Sequence, residues 1–255
     1  MQATPFHRFV NLAAVILATA GLLALSAPSH GAPVSGQGTW ETTLFGRNLD
    51  GNPITYEAWY DAALDITWLA DVRYAENDGY FGPQSWGTAN FWATNLNPYG
   101  SGITGWRLPT VTDTGAAGCD YANTGTDCGY NVNTATGEMA HMFYVTLGNL
   151  AIVNTSGNFQ AGSGLTNTGP FANLDAVGHW SSTSYVPPFT ATTAWYDDFG
   201  NGIQSHSPKS TGRNFWAVHS GDIAVIPLPA GAWLFGGSLV GLLGLRRRQR
   251  AVGSG

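Results

Sequence analysis

The sequence predicts an α+β domain, and three observations carry that prediction. Through residues 33–224, short apolar and aromatic runs alternate with stretches of Gly, Asn, Thr and Ser, the rhythm of short strands between turns. Residues 85–97 place their apolar side chains at helical spacing, and residues 137–147 carry a second helical stripe. The expected architecture is two helices packed on short, mainly antiparallel strands joined by long loops.

Taken in order, residues 39–45 alternate polar and apolar side chains and read as a first strand. Residues 57–69 (EAWYDAALDITWL) hold two short runs joined at 62–65 and read as a pair of half-buried strands. In the first helix Trp86, Ala89, Trp92, Ala93 and Leu96 fall along one face, and Ser85 stands where an N-cap is needed. GWRLPT at 105–110 reads as a strand that Pro109 ends, because proline has no N–H to give the ladder. In the second helix Met139, Met142, Phe143 and Leu147 form the stripe, and Gly148-Asn149 supplies a stop. Residues 178–184, 193–199 and 214–224 read as three late strands, with Asn201-Gly202 as a hairpin signal.

Both ends fall outside this domain. His7 and Arg8 precede an apolar stretch at 9–25, and small residues follow to Ala32, the layout of a secretory signal peptide over 1–32. At the other end Pro227-Leu228-Pro229 opens an apolar run at 230–245, closed by Arg246, Arg247, Arg248 and Arg250, with a short tail at 251–255. Such a run is shorter than the roughly 20 residues that span a bilayer comfortably. Val225 and Ile226 extend it, and clustered arginines hold such an end on the cytoplasmic side. The order of proline motif, aromatic-bearing Gly-rich segment and arginine cluster over 225–250 resembles the PEP-CTERM sorting tail of Gram-negative bacteria in its VPLP variant. That resemblance implies an exosortase-type transpeptidase as partner, transient anchoring in the inner membrane, and delivery to the cell envelope or extracellular matrix.

Removing the ends changes the charge. Of the basic residues only Arg47, Arg73, Arg107, Lys209 and Arg213 lie in the body, against all sixteen acidic ones, so the body carries −11 with neutral histidines. Such a surface repels phosphate backbones and sulfated polymers, which argues against nucleic acid as a partner. The two cysteines, Cys119 and Cys128, stand close together in CDYANTGTDC and read as a disulfide closing a small loop in an exported chain. A metal site would need further Cys or His beside them, and none stands there, so no metal and no cofactor is expected.

The body itself resembles a known family. ITWLADVRYA, the Trp86/Trp92 helix, GWRLPT, GEMAHMFYVTLGN, HWSST, AWYDDFGNG and NFWAVHSGD follow in an order similar to the C-terminal domain of the Legionella collagen-like adhesin. That family is grouped with the C-type-lectin-like and formylglycine-generating-enzyme folds, and the resemblance covers 57–222. It implies a C-type-lectin-like body. The adhesin is associated with glycosaminoglycans, but a charge of −11 points instead to neutral exopolysaccharide or an envelope protein. The calcium loop of sugar-binding C-type lectins is absent from the sequence, and the late cysteines of formylglycine-generating enzymes have no counterpart after Cys128.

Catalysis finds little support in the residues. Nucleophilic chemistry needs Ser or Cys beside a positioned His and an orienting acid. His179 precedes Ser181 and Ser182 in a strand whose neighbours face opposite ways, and the Asp197-Asp198 pair diverges for the same reason. Arg107, one of five basic residues in the body, reads as a structural fork to a carboxylate, with Asp71 and Asp222 as candidates. Trp195, Tyr196, Asp197, Asp198 and Asn201 form either a saccharide-stacking site or ordinary hairpin chemistry. The function expected is non-enzymatic: an exported surface or matrix protein in adhesion or exopolysaccharide binding. A divergent formylglycine-generating-type enzyme and a purely structural surface component are the alternatives.

Overall fold

The computed structural model describes residues 32–115, 123–185 and 192–223. The signal-peptide and sorting segments and Cys119 lie outside the described residues. Among those described, no helix is long and apolar enough to cross a membrane.

Two sheets organise the domain. The first holds β1 (Leu44–Arg47), β2 (Ala58–Asp61), β3 (Ile66–Leu69), β4 (Trp106–Arg107) and β9 (Val218–Ser220) in the order β1-β2-β3-β9-β4, antiparallel throughout. The second holds β5 (Gly178–Tyr185), β6 (Thr193–Asp198), β7 (Ile203–Pro208) and β8 (Asn214–Phe215) in the order β7-β6-β5-β8, antiparallel except where β8 runs parallel to β5. With few helices and mostly antiparallel pairing, the domain is α+β.

The hairpin β2–β3 forms from the two short runs, with Ala58 opposite Leu69 and Asp61 opposite Ile66, but β3 is buried on both faces, not half-buried, because the rest of the domain packs over it. Asp61 ties its turn by accepting the Ala63 N–H at 2.9 Å. Helix α2 (Trp86–Thr94) starts at Ser85, whose Oγ accepts the Thr88 N–H at 3.3 Å. It buries Ala89, Trp92 and Ala93 on the expected face, with Leu96 buried just beyond it. Replacing Ser85 by alanine removes this cap and is expected to lower stability by about 1 kcal/mol, read from the urea midpoint at unchanged slope.

The second helix is not regular. α3 (Glu138–His141) continues as a π-helical turn over Met142–Thr146, in which Leu147 N–H reaches back five residues to Met142 O at 2.8 Å. The extra residue in that turn shifts the register of the side chains beyond it. Tyr144 then lies beside the β6–β7 hairpin, where it donates to Gly202 O and accepts the Asn131 N–H. Gly148 comes next at φ 66° because the segment crosses Gly38 so closely that a Cβ would lie 2.5 Å from Gly38 N.

Two expectations are corrected. Residues 39–45 do not form one strand: Trp40–Thr43 makes a helical turn, α1, before β1 begins. The Thr42 and Thr43 hydroxyls both donate to Thr39 O at 3.0 Å, which closes the chain on itself where an extended strand would leave it open. Residues 214–224 do not form one strand either. β8 joins the second sheet and β9 the first, and Trp216-Ala217 passes between them, fully buried. Strand β7 had no signal of its own beyond the Asn201-Gly202 turn.

Tryptophan fills the junction between the sheets. Trp68 and Trp216 pack with ring centroids 4.5 Å apart, Phe171 meets Trp216 edge-on at 4.7 Å, and the Trp216 indole donates to Leu69 O at 2.8 Å. Trp106 and Trp180 are equally buried, and Trp92 meets Phe215 edge-on at 5.1 Å. A smaller apolar cluster of Val111, Cys128, Tyr185 and Trp195 lies apart from this core.

Candidate functional site

The late hairpin does not present a binding surface. Trp195 is 1% exposed, meets Tyr185 edge-on at 5.1 Å, and belongs to the smaller apolar cluster. Asp197 is 5% exposed and faces the same way as Trp195. Tyr196 and Asp198 face the other side, where the Arg213 guanidinium covers the Tyr196 ring at 3.3 Å from its centroid. Asp198 accepts the Gly200 N–H at 2.8 Å and Asn201 accepts the Ile203 N–H at 2.9 Å, so both serve the turn. The saccharide-stacking reading of this hairpin is therefore corrected: its rings are occupied as core and as a seat for arginine.

Arg107 forms a two-pronged ion pair, but its partner is Glu138, not Asp71 or Asp222. Its two Nη atoms donate to the two Glu138 oxygens at 2.7 Å, and Glu138 also accepts the Thr110 N–H at 2.7 Å. Asp222 pairs instead with Arg47 at 2.6 Å, and Asp71 accepts from Asn173 and from the Arg73 N–H. Arg107 thus ties β4 to the start of α3. Cys128 is buried and disulfide-bonded.

The histidines lie in separate neighbourhoods. His141 Nδ1 sits 3.3 Å from the Thr146 hydroxyl, which in turn donates to buried Asp61. His219 stands beside Trp106 on β9, and His179 is sealed in β5 against Phe199. Ser181 is buried and accepts the Thr183 N–H. No group of three His, Cys, Asp or Glu side chains among the described residues is arranged to hold a metal ion.

A cleft of about 220 Å³ opens elsewhere, lined by Val72, Arg73, Glu76, Tyr80, Asn214 and Phe215, with Ala75, Gly82 and Pro83 completing it. Three segments build it. After β3 the chain makes a 3-10 turn at Tyr74–Asp78, ended by Gly79 at φ 85°. The loop after this turn is pinned to the chain before β8 by two backbone hydrogen bonds between Gln84 and Arg213, at 2.9 and 3.0 Å. β8 then carries Asn214 and Phe215 to the opposite wall. Val72, Ala75 and Phe215 are buried and form an apolar floor, while Arg73, Glu76, Tyr80 and Asn214 bring polar groups to the rim.

These polar groups differ in how far they are committed. Arg73 Nε donates to Asp175 at 2.8 Å and its Nη2 donates to the same oxygen, which raises the guanidinium pKa further. Asp78 accepts the Trp92 indole N–H at 2.7 Å. The Glu76 carboxylate, the Tyr80 hydroxyl and the Asn214 carboxamide make no hydrogen bond to any described residue, so they are available to a ligand. The sequence did not single out these cleft residues. They lie at the edges of two of its motifs, ITWLADVRYA and NFWAVHSGD, and only the fold brings those edges together.

Comparison of the chain with protein-family models, curated proteins and solved structures finds no match.

Proposed function

We propose that this is an exported protein of the bacterial cell surface or extracellular matrix, sorted by a PEP-CTERM tail, whose C-type-lectin-like body binds exopolysaccharide without catalysis. The signal peptide carries it across the inner membrane. The apolar segment and arginine cluster hold it there until an exosortase-type transpeptidase acts at Pro227-Leu228-Pro229. The observation that supports binding is the cleft between the Tyr74–Asp78 turn and β8. It joins an apolar floor to an aromatic ring, a carboxylate, a carboxamide and a guanidinium, the combination that recognises a hydroxylated ring with one apolar face.

The test is retention of exopolysaccharide by the immobilised mature protein. Binding should saturate and fall at least about tenfold in Tyr80→Ala and in Asn214→Ala, the loss of one good polar or stacking contact. It should be unchanged in Tyr56→Ala, an exposed aromatic that does not line the cleft. Saccharide retention unaffected by both cleft variants would refute the site, and no retention at all would refute the function.

A further inference from the structure

We infer that the cleft selects a saccharide unit bearing a free amine, a hexosamine without its acetyl group, within an otherwise neutral polymer. This deepens the binding reading above and rests on it. The acids around the Tyr74–Asp78 turn have structural duties with one exception. Asp71 accepts from Asn173 at 2.8 Å and from the Arg73 N–H at 2.9 Å, Asp78 holds the Trp92 indole, and Asp175 receives two donors from Arg73. Glu76 lines the cleft and accepts no hydrogen bond from a described residue, although its charge acts on the nearby Arg73 guanidinium.

A carboxylate half-sheltered over an apolar floor of Val72, Ala75 and Phe215 gains most from a cation that brings its own hydrogens. Arg73 lines the same cleft, but its Nε and Nη2 are spent on Asp175, and that pair is neutral as a unit. Among the described residues no other basic side chain lines the cleft. A ligand ammonium fits this vacancy. It can donate to Glu76, and the Tyr80 ring lines the same cleft as an aromatic surface for a cation. Asn214 supplies both a donor and an acceptor for the ring hydroxyls. The same arrangement disfavours uronates and sulfated sugars, whose anions would meet Glu76 in the field of a body charged −11.

The test measures binding of three probes to the full mature protein by titration calorimetry in low salt at pH 6. They are a glucosamine tetrasaccharide, its fully N-acetylated counterpart, and a uronate tetrasaccharide. The glucosamine probe should bind about tenfold tighter than the acetylated one, the worth of one charge-assisted hydrogen bond. The uronate probe should not bind. Glu76→Gln should abolish the preference for the amine, whereas Glu41→Gln, an exposed acid that does not line the cleft, should keep it. Equal affinity for the amine and acetylated probes, or an amine preference that survives Glu76→Gln, overturns the inference and leaves the saccharide site standing. Failure of every probe overturns the inference and, together with absent exopolysaccharide retention, the function beneath it.

Discussion

Trp216→Ala is expected to destabilise the domain by about 4 kcal/mol, the largest effect of any single substitution considered, because three costs coincide there. The side chain is fully buried, so truncation leaves a cavity in a close-packed interior. Its ring holds Trp68 at 4.5 Å and Phe171 at 4.7 Å, and both lose a partner. Its indole N–H is a donor to Leu69 O at the end of β3, and that carbonyl sits where water does not reach. Domains of this size are stable by roughly 5–15 kcal/mol, so the variant should stand near the edge of folding at 37 °C. Urea unfolding followed by far-UV circular dichroism would read the loss. Trp216→Phe keeps most of the ring and discards the donor, and should lose about half as much. Equal losses in the two variants would show that the hydrogen bond, and not the packing, carries the junction.

Asp197→Asn is expected to act in the opposite direction and to stabilise the protein at neutral pH by about 1–3 kcal/mol, the cost of a buried polar group left unpaired. Asp197 lies directly opposite His179 on one side and Gln204 on the other, forming a row across β5, β6 and β7 on one face of the second sheet. Three buried atoms in that row, His179 Nε2, Asp197 Oδ2 and Gln204 Oε1, have no hydrogen-bond partner among the described residues. The Gln204 amide is directed instead at Asp127 O at 2.6 Å, and the His179 Nδ1 lies 3.0 Å from Val177 O. The row is thus rich in acceptors and short of donors. Burial, and secondarily the charge of Asp198, pushes the Asp197 carboxyl well above the usual carboxylate range.

The sign of the pH dependence is set by where protons sit. Between the ordinary carboxylate value and its raised folded value, Asp197 binds more proton in the folded state than in the unfolded one. Its contribution is therefore fully present at acidic pH and is lost as pH rises. His179 runs the other way. Burial pushes its pKa down to about 4, so the folded state binds fewer protons between that value and the ordinary imidazole range, and stability from this group grows as pH rises through that window. The difference between wild type and Asp197→Asn isolates the carboxyl. The gain in Tm should be largest at alkaline pH and should vanish toward pH 4, where the native carboxyl carries its own proton. A variant less stable than wild type at pH 8 would show that a charged Asp197 is satisfied in solution.

The elements that were legible in the sequence are those in which one local signal decides the outcome. α2 combines a serine cap with a 3.6-residue apolar stripe, and the β2–β3 hairpin joins two short aromatic and apolar runs across a tight turn at 62–65. β7 gave no such signal, because Gln204, Ser205 and Ser207 are polar yet buried, and neither face of the strand is marked. The run at 214–224 looked like one strand because Phe215, Trp216, Ala217 and Val218 are all apolar. Their uniform burial instead reflects a crossing between two sheets. Trp195 left two readings open for a related reason: an aromatic among carboxylates and amides has the composition of a sugar site as well as of a hairpin, and only burial shows that its ring is spent on packing. Glu76 and Asn214 look ordinary in sequence, and their role depends on a juxtaposition across more than a hundred residues.

The position of β9 has a consequence for how the molecule is made. Val218–Ser220 is the last strand in sequence among the described residues, yet it lies inside the first sheet, with β3 on one side and β4 on the other. Until that strand arrives, β3 exposes an unpaired edge and β4, two residues long, has no neighbour in the sheet at all. A chain emerging with its N-terminus first can form the β1–β2–β3 meander early, but the sheet stays split until its final strand is delivered. Closure of loops this long is slow compared with hairpin formation. The domain is therefore built as an arch is, standing open until the last stone enters from the C-terminal side.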